Sequence, residues 1–117
     1  MLYHNPQGDR LSQKRIRQIE QRIGRIKAEL QQIGPLRPGS LTRQYKDRKH
    51  KTGAYWQVRY TRRMKSRTEY VREKWTAEIR QQIAAHKRFK RLVDQWIDLS
   101  IEHSQLTMRI AKPKATR

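Results

Sequence analysis

The hydrophobic pattern of the chain changes its period twice, and this limits the fold more than any other feature. Apolar residues recur every three or four positions in the first third, alternate with polar residues in the middle, and then return to the helical spacing. Spacings of three and four mark one stripe of a helix, whereas alternation marks a strand with one buried face. The sequence therefore predicts an α+β fold, with a small sheet between two long helices.

The first periodic segment predicts a helix over residues 10–33. Its apolar stripe consists of Ile16, Ile19, Ile23, Ile26, Leu30 and Ile33. This regular alternation of spacings is typical of a coiled-coil seam. Gly34 and Pro35 are expected to end the helix, because glycine accepts the left-handed turn at a helix C terminus and proline cannot continue the hydrogen-bond ladder.

The middle segment predicts a basic, three-stranded antiparallel meander over residues 40–71. Its aromatic and β-branched runs are separated by short polar turns. On the second strand, Trp56 and Val58 are expected on one face and Tyr55 and Arg59 on the other, because side chains alternate across a strand. A small sheet needs an apolar cover, so we expect the Trp56 face to pack on the helix that follows.

A long helix is predicted over residues 73–110, because no Gly or Pro interrupts the returning helical period. We expect it to pair with the first helix as an antiparallel coiled-coil hairpin within a single domain, residues 1–117. The alternative is that the heptads serve a homodimer or a larger protein. The second helix is the longer one, so its far end is expected to lack an internal partner. That end contains Leu99, Ile101, Leu106, Met108 and Ile110. Residues 111–117 are predicted to form a disordered basic tail.

Charge restricts the partners of such a chain. It carries 29 Lys and Arg against 10 Asp and Glu, a formal net charge of +19, and residues 37–74 alone hold 13 basic and 3 acidic residues. Nucleic acid is the commonest polyanion that neutralises such an excess. The absence of cysteine excludes disulfide scaffolds and thiol catalysis. With no membrane-length apolar run and no signal-peptide pattern, we expect a soluble cytoplasmic protein, associated with the nucleoid or a ribonucleoprotein.

The candidate nucleic-acid-binding residues lie on the predicted strands and turns. They are Arg43, Lys46, Arg48, Lys49, Lys51, Tyr55, Arg59, Arg62, Arg63, Lys65 and Arg67. Cations neutralise phosphates, Tyr55 can stack on a base or a sugar, and Arg59 can read a guanine edge or bind a phosphate. The alternative is a solvated sheet edge on which Lys and Arg prevent aggregation.

The sequence contains no pattern of residues that indicates catalysis, a metal site or a cofactor. His4, His50, His86 and His103 do not share a metal-ligand spacing, and no two acidic residues are expected together in a concave site. The sequence therefore predicts a protein that is not an enzyme and that needs no cofactor and no metal.

Five blocks occur in order within about residues 25–105, namely LRPGSL, GAYWQVRY, KSRTEYV, EIRQQI and RFKRLV. With them the chain resembles a family of small bacterial proteins of unknown function that are often encoded near transposases and other mobile elements. Many members carry a Cys-rich insert where this chain has residues 45–52 without cysteine, so a metal role there would lack ligands. Three strands followed by a helix also resemble, in architecture alone, the sheet-type DNA-binding domains of the plant AP2 class and of phage integrase N termini.

Charge, pattern and resemblance together predict a non-catalytic nucleic-acid-binding protein, an accessory factor of a mobile element or of a nucleic-acid machine. We expect the basic sheet and the first helix to bind phosphates. The alternative is a protein-interaction subunit of a larger ribonucleoprotein or RNA-guided nuclease complex, which docks by its long helices and clamps RNA. A nuclease or recombinase in its own right is a third class, and the sparse acidic residues disfavour it.

Overall fold

The computed structural model describes residues 6–111, with side chains from residue 9 onward. The elements are helix α1 (Pro6–Gln31), strands β1 (Ser40–Asp47), β2 (Thr52–Arg62) and β3 (Lys65–Val71), a short 3-10 helix (Glu73–Trp75) and helix α2 (Thr76–Ala111). The predicted α+β order is confirmed. Helix α1 begins earlier than predicted, because Pro6 suits a first turn, in which its missing amide hydrogen costs no helical bond. It ends at Gln31 and not at residue 33, with a last turn in which the Gln32 amide donates to the Glu29 carbonyl. The left-handed turn predicted at Gly34 was wrong, because Gly34 does not have a positive φ. Ala111 still belongs to α2, and the rest of the predicted tail lies outside the described residues.

The described residues are laid out as two compact units, one of residues 33–90 and one that combines α1 with the part of α2 from residue 91 onward. The single domain predicted over residues 1–117 thus contains two separate cores. The first comprises the sheet and the beginning of α2, and the second comprises α1 and the remainder of α2. Within residues 6–111, neither helix is long and apolar enough to cross a membrane.

In the helical unit, α1 and the last part of α2 pack along a heptad seam. Ile19 and Ile26 are buried on α1, and Leu92 and Leu99 are buried on α2. The two residues of each pair are one heptad apart, so they lie on the same stripe of their helix. This seam is the coiled-coil pairing that the spacing predicts.

Polar contacts along the seam establish its antiparallel direction. Arg15 Nε donates to Glu102 Oε2 at 2.8 Å, and Lys27 Nζ lies 5.1 Å from the centroid of the Trp96 ring. The contact nearer the start of α1 therefore involves the residue farther along α2. The helices accordingly run in opposite directions, and the predicted hairpin is consistent with these contacts.

The unpartnered end predicted for α2 is only partly present. Leu99 is buried and Leu106 and Ile110 are half-buried, whereas Ile101 and Met108 are 52% and 62% exposed. The prediction was wrong for Leu99, Leu106 and Ile110, because α1 pairs with the end of α2 and not with its beginning. The beginning of α2 is occupied by the sheet.

The sheet has the order β1-β2-β3, and both neighbouring pairs are antiparallel. Val58 at its centre is fully buried and clusters with Val71 and with Ile83 of α2. Trp56 packs against this cluster, and the Arg80 guanidinium of α2 lies 5.0 Å from its ring centroid. The expectation that the Trp56 face packs on the following helix is confirmed.

The connection before the sheet is held by specific contacts. The Arg37 amide donates to the Gln82 carbonyl of α2 at 3.1 Å, and the Arg37 guanidinium lies 5.1 Å from the Tyr60 ring centroid. Gly39 has a φ of +134°, and a Cβ there would lie 2.8 Å from the Arg59 carbonyl oxygen. Only glycine fits so close to β2. The Pro-Gly-Ser segment of the sequence therefore has a structural role at this position.

The β2–β3 hairpin contains strained backbone. Arg62 pairs with Lys65, so the turn consists of Arg63 and Met64, whose φ angles are 53° and 66°. Positive φ at both central positions defines a type I′ turn, which favours Asn and Gly because other residues are strained there. Met64 is 99% exposed, so its side chain gains no packing in return.

We expect Met64→Gly to raise the free energy of unfolding by about 0.5–1 kcal/mol, because glycine removes the steric cost of the left-handed conformation. Urea unfolding of the two proteins measures the difference. Ser66→Gly, on the adjacent strand, is the control and should lower stability by about the same amount, since glycine weakens strand interiors. A loss of stability in Met64→Gly equal to that of the control would contradict the assigned strain.

Candidate nucleic-acid interface

One face of the sheet is left uncovered by its own unit. The preceding connection and the beginning of α2 contact the Trp56 face, so the opposite face is turned to solvent. Strand alternation and the observed register place even-numbered residues of β1 and β3, and odd-numbered residues of β2, on this side. We call it the open face. Its residues are Thr42, Gln44 and Lys46 of β1, Tyr55, Gln57, Arg59 and Thr61 of β2, and Ser66, Thr68 and Tyr70 of β3.

Neutral hydrogen-bonding side chains occupy the centre of the open face. Thr42, Gln57 and Tyr70 form one row across the three strands, and Tyr70 is 69% exposed. Gln44 Nε2 donates to Thr42 Oγ1 at 3.2 Å. The Gln57 amide has no hydrogen-bond partner among the described residues, so both its donor and its acceptor are available.

One end of the open face is a shallow recess bordered by aromatic and basic side chains. Lys46, Gly53, Tyr55 and Tyr70 line it. Gly53 has a φ of +69°, and a Cβ there would lie 3.0 Å from Lys46 Cβ. The Lys46 side chain therefore crosses the glycine, beside two tyrosine rings suited to stacking.

The connections at the two ends of β2 are rich in cations. The β1–β2 turn contains Arg48, Lys49 and Lys51, and the β2–β3 turn contains Arg63 between Arg62 and Lys65. All six side chains are exposed. Strand β2 has 11 residues, so the ten steps from its first to its last residue separate the two groups by about 33 Å at ~3.3 Å per step. We call these groups the cationic ends.

The predicted binding residues are distributed over three locations. Lys46, Tyr55 and Arg59 lie on the open face, and Arg48, Lys49, Lys51 and Arg63 lie in the turns. The strand register places the other four candidates on the Trp56 side of the sheet, namely Arg43, Arg62, Lys65 and Arg67. Arg43 is turned toward the ring of Tyr45, 5.7 Å from its centroid. The eleven residues therefore do not form one patch, because strand alternation sends neighbouring cations to opposite faces.

The acidic residues of the sheet do not neutralise the cations of the open face. Residues 40–71 contain ten Lys and Arg but only Asp47 and Glu69 as acids, a net charge of +8. Asp47 Oδ2 lies 2.8 Å from His50 Nδ1, and this hydrogen bond lowers the pKa of Asp47. Glu69 accepts a hydrogen bond from Tyr60 at 2.8 Å and pairs with Arg37 at 3.2 Å. Both acids are thus used elsewhere.

The contacts of Glu69 predict a pH effect on stability. The Tyr60 hydroxyl, and then Arg37, hold the pKa of Glu69 below its usual range. A lowered folded-state pKa contributes stability above the unfolded pKa, and this contribution is lost as the pH falls through the folded value. We expect Glu69→Gln to remove part of the acid sensitivity, about 0.5 kcal/mol for so exposed a pair.

Urea unfolding at pH 7 and at pH 3 measures this effect in the parent protein and in Glu69→Gln. Glu73→Gln is the matched control, because the Glu73 carboxylate makes no bond within residues 6–111. An equal loss of stability on acidification in all three proteins would contradict a role for the Glu69 contacts.

The sequence prediction did not select the neutral residues of the open face. It selected cations and Tyr55, whereas the open face also presents Thr42, Gln44, Thr68 and Tyr70. The alternation of Ser66, Thr68 and Tyr70 was a visible signal, but the register was needed to place it beside Gln57. Among the described residues, no group of three His, Cys, Asp or Glu side chains is positioned to hold a metal ion.

No protein-family model, no curated protein and no solved structure matches the chain. The resemblance to small proteins encoded near mobile elements therefore stays a prediction. The open face and the cationic ends have to be interpreted from their own chemistry.

Proposed function

We propose that the protein is a non-enzymatic nucleic-acid-binding protein, an accessory factor of a mobile element or of a nucleic-acid machine. The observation that carries this proposal is the uncovered sheet face between two cationic ends whose charges have no acidic partner in the sheet. A polyanion releases its counterions on such a surface, and this release favours binding.

Helix α1 offers additional phosphate contacts. Arg17, Arg22 and Arg25 are exposed along it. Arg15 is bound to Glu102, so it is less available. Variants that remove charges from α1 or from the sheet can therefore distinguish how much each element contributes to binding.

The test is a fluorescence anisotropy titration of the full chain at one fixed salt concentration, with duplex DNA, single-stranded DNA and stem-loop RNA of equal length. Lys46→Ala with Arg59→Ala removes two charges from the open face, and Arg17→Ala with Arg25→Ala removes two from α1. We expect the sheet pair to weaken binding about tenfold and the helix pair to weaken it less, because the proposal assigns the principal phosphate contacts to the sheet and only additional ones to α1. Absence of saturable binding to all three ligands would overturn the proposal, and equal losses would overturn the sheet as its site.

We expect no hydrolysis of DNA, RNA or nucleotides by the purified protein with Mg²⁺ or Mn²⁺. Two-metal hydrolysis needs carboxylates that hold two ions about 4 Å apart. Asp94, Asp98 and Glu102 follow one another every four residues along α2, and the Glu102 carboxylate already accepts hydrogen bonds from the Arg15 guanidinium. Gel analysis of labelled substrates checks this expectation. Metal-dependent cleavage that a single carboxylate substitution abolishes would contradict it.

A protein-interaction subunit is the second candidate, and exposed apolar residues of α2 favour it. Val93, Ile97, Ile101 and Met108 line an open groove on this helix. A homodimer or a larger protein would cover such a stripe. Sedimentation of the full chain and of Ile97→Gln with Ile101→Gln tests the homodimer, and a strong preference for stem-loop RNA in the titration would favour the ribonucleoprotein alternative.

A further inference from the structure

The centre and the ends of the open face differ in chemistry, and this difference bears on what the face recognises. A surface that only grips phosphates needs cations, which the two ends supply. The centre instead displays the amides of Gln44 and Gln57 and the hydroxyls of Thr42 and Thr68, with Arg59 beside them. Amides pair with adenine N6 and N7, and a guanidinium pairs with guanine O6 and N7. The central groups are therefore those that read base edges.

We propose that the open face enters the major groove of duplex DNA and reads base edges through Gln57 and Arg59. This inference rests on the proposed function and adds to it a ligand class and two specificity-determining residues. The Gln57 amide is suited to the role, because it has no hydrogen-bond partner among the described residues and lies at the middle of the central strand.

The dimensions of the sheet agree with those of the groove. Two strand spacings of about 4.8 Å separate the backbones of β1 and β3 by about 10 Å, and the major groove is about 12 Å wide. Gln57 and Arg59 are successive residues of one face, so they are about 6.8 Å apart along β2. This distance corresponds to about two base-pair steps of 3.4 Å. The two side chains can therefore address bases about two positions apart.

The cationic ends complete this arrangement. They are separated by the length of β2, about 33 Å, which is close to one turn of duplex DNA. Phosphate contacts at both ends would determine the orientation of the sheet on the duplex, and the base contacts between them would determine sequence preference.

RNA and single strands fit this face less well. The major groove of A-form RNA is too deep and narrow for side chains to read. Single-strand binding relies on successive aromatic platforms, and the open face has two tyrosines, Tyr55 and Tyr70, which border a single recess. Its centre is neutral and hydrogen-bonding. The observations therefore favour duplex DNA.

The test is selection of bound sequences by the full chain from a duplex DNA library with a randomised centre, followed by sequencing. We expect an enriched motif that contains an adenine and a guanine about two base pairs apart. Gln57→Thr removes the carboxamide, introduces a β-branched residue that suits a strand, and should reduce the adenine preference about tenfold or more. Arg59→Lys keeps the charge and should relax the guanine preference. The affinity of Gln57→Thr for random duplex should change by less than about twofold, because a neutral side chain releases no counterions.

Lys51→Ala is the matched control. It removes a cation from one end, so it should weaken binding to all sequences and leave the motif unchanged. Thermal melting by circular dichroism verifies that each variant is folded.

The outcomes separate this inference from the proposed function. Strong, salt-dependent binding without an enriched motif would overturn the inference and leave the proposed function standing. A motif unchanged in both Gln57→Thr and Arg59→Lys would also overturn it, since recognition would then lie elsewhere. Preference for single strands or stem-loop RNA would overturn it as well. Absence of binding to every nucleic acid would overturn both.

Discussion

Raising the salt concentration from 50 to 200 mM is expected to weaken binding of the full chain to duplex DNA by about a thousandfold. Six exposed cations can reach a duplex on the open face: Arg48, Lys49, Lys51 and Arg63 of the turns, and Lys46 and Arg59 of the face itself. If each contacts a phosphate, the logarithm of the binding constant falls with the logarithm of salt with a slope of about −5. Anisotropy titrations at four or five salt concentrations measure the slope directly.

A triple substitution tests which cations produce that slope. Arg48→Ala, Lys49→Ala and Lys51→Ala together should reduce its magnitude by about 3, because each phosphate contact contributes about 0.9. Lys87→Ala, Lys90→Ala and Arg91→Ala remove the same charge from exposed positions of α2 and should change the slope by less than about 1. A binding constant that does not change with salt would contradict phosphate contacts altogether, and equal effects of the two triple variants would contradict the assignment to the cationic ends.

Replacing Trp56 by alanine is expected to lower the free energy of unfolding by about 3 kcal/mol, because a large side chain packed on a buried cluster leaves a cavity. Trp56 packs on Val58, Val71 and Ile83 and carries the Arg80 guanidinium over its ring. Arg59, three residues farther along the same strand, lies on the open face. Arg59→Ala should therefore change stability by less than about 0.5 kcal/mol while it weakens nucleic-acid binding.

Urea unfolding and anisotropy titration of the same two variants separate these roles. Trp56→Ala protein that remains folded should bind as the parent does, because the tryptophan faces α2. If Arg59→Ala unfolded the protein and Trp56→Ala affected binding alone, the functions of the two sheet faces would be the reverse of those assigned here.

Much of the open face was predictable because the face of a strand residue follows from its place in the alternation. The separation of Trp56 and Val58 from Tyr55 and Arg59 needed no tertiary information. The excess of Lys and Arg in this segment is also a property of the sequence alone. Composition does not distinguish one face of a strand from the other, and the register places four of the candidates, Arg43, Arg62, Lys65 and Arg67, on the Trp56 side.

The register between strands required the structure. A longer turn joins β1 to β2 and a two-residue turn joins β2 to β3, and these lengths bring Thr42, Gln57 and Tyr70 into one row. A shift of one residue would place different side chains together. The sequence shows that these residues alternate along each strand. It does not show that they come together as one neutral centre on the open face.

The sequence by itself determined the order of elements, because a change of hydrophobic period is a local property. It also determined the excess of positive charge. Only the tertiary structure decided which part of α2 pairs with α1, and that Glu69 is engaged by Tyr60 and Arg37 rather than by the cations of the open face. Such pairings join residues far apart in the chain, and they depend on which surfaces can be buried together, which no local pattern specifies.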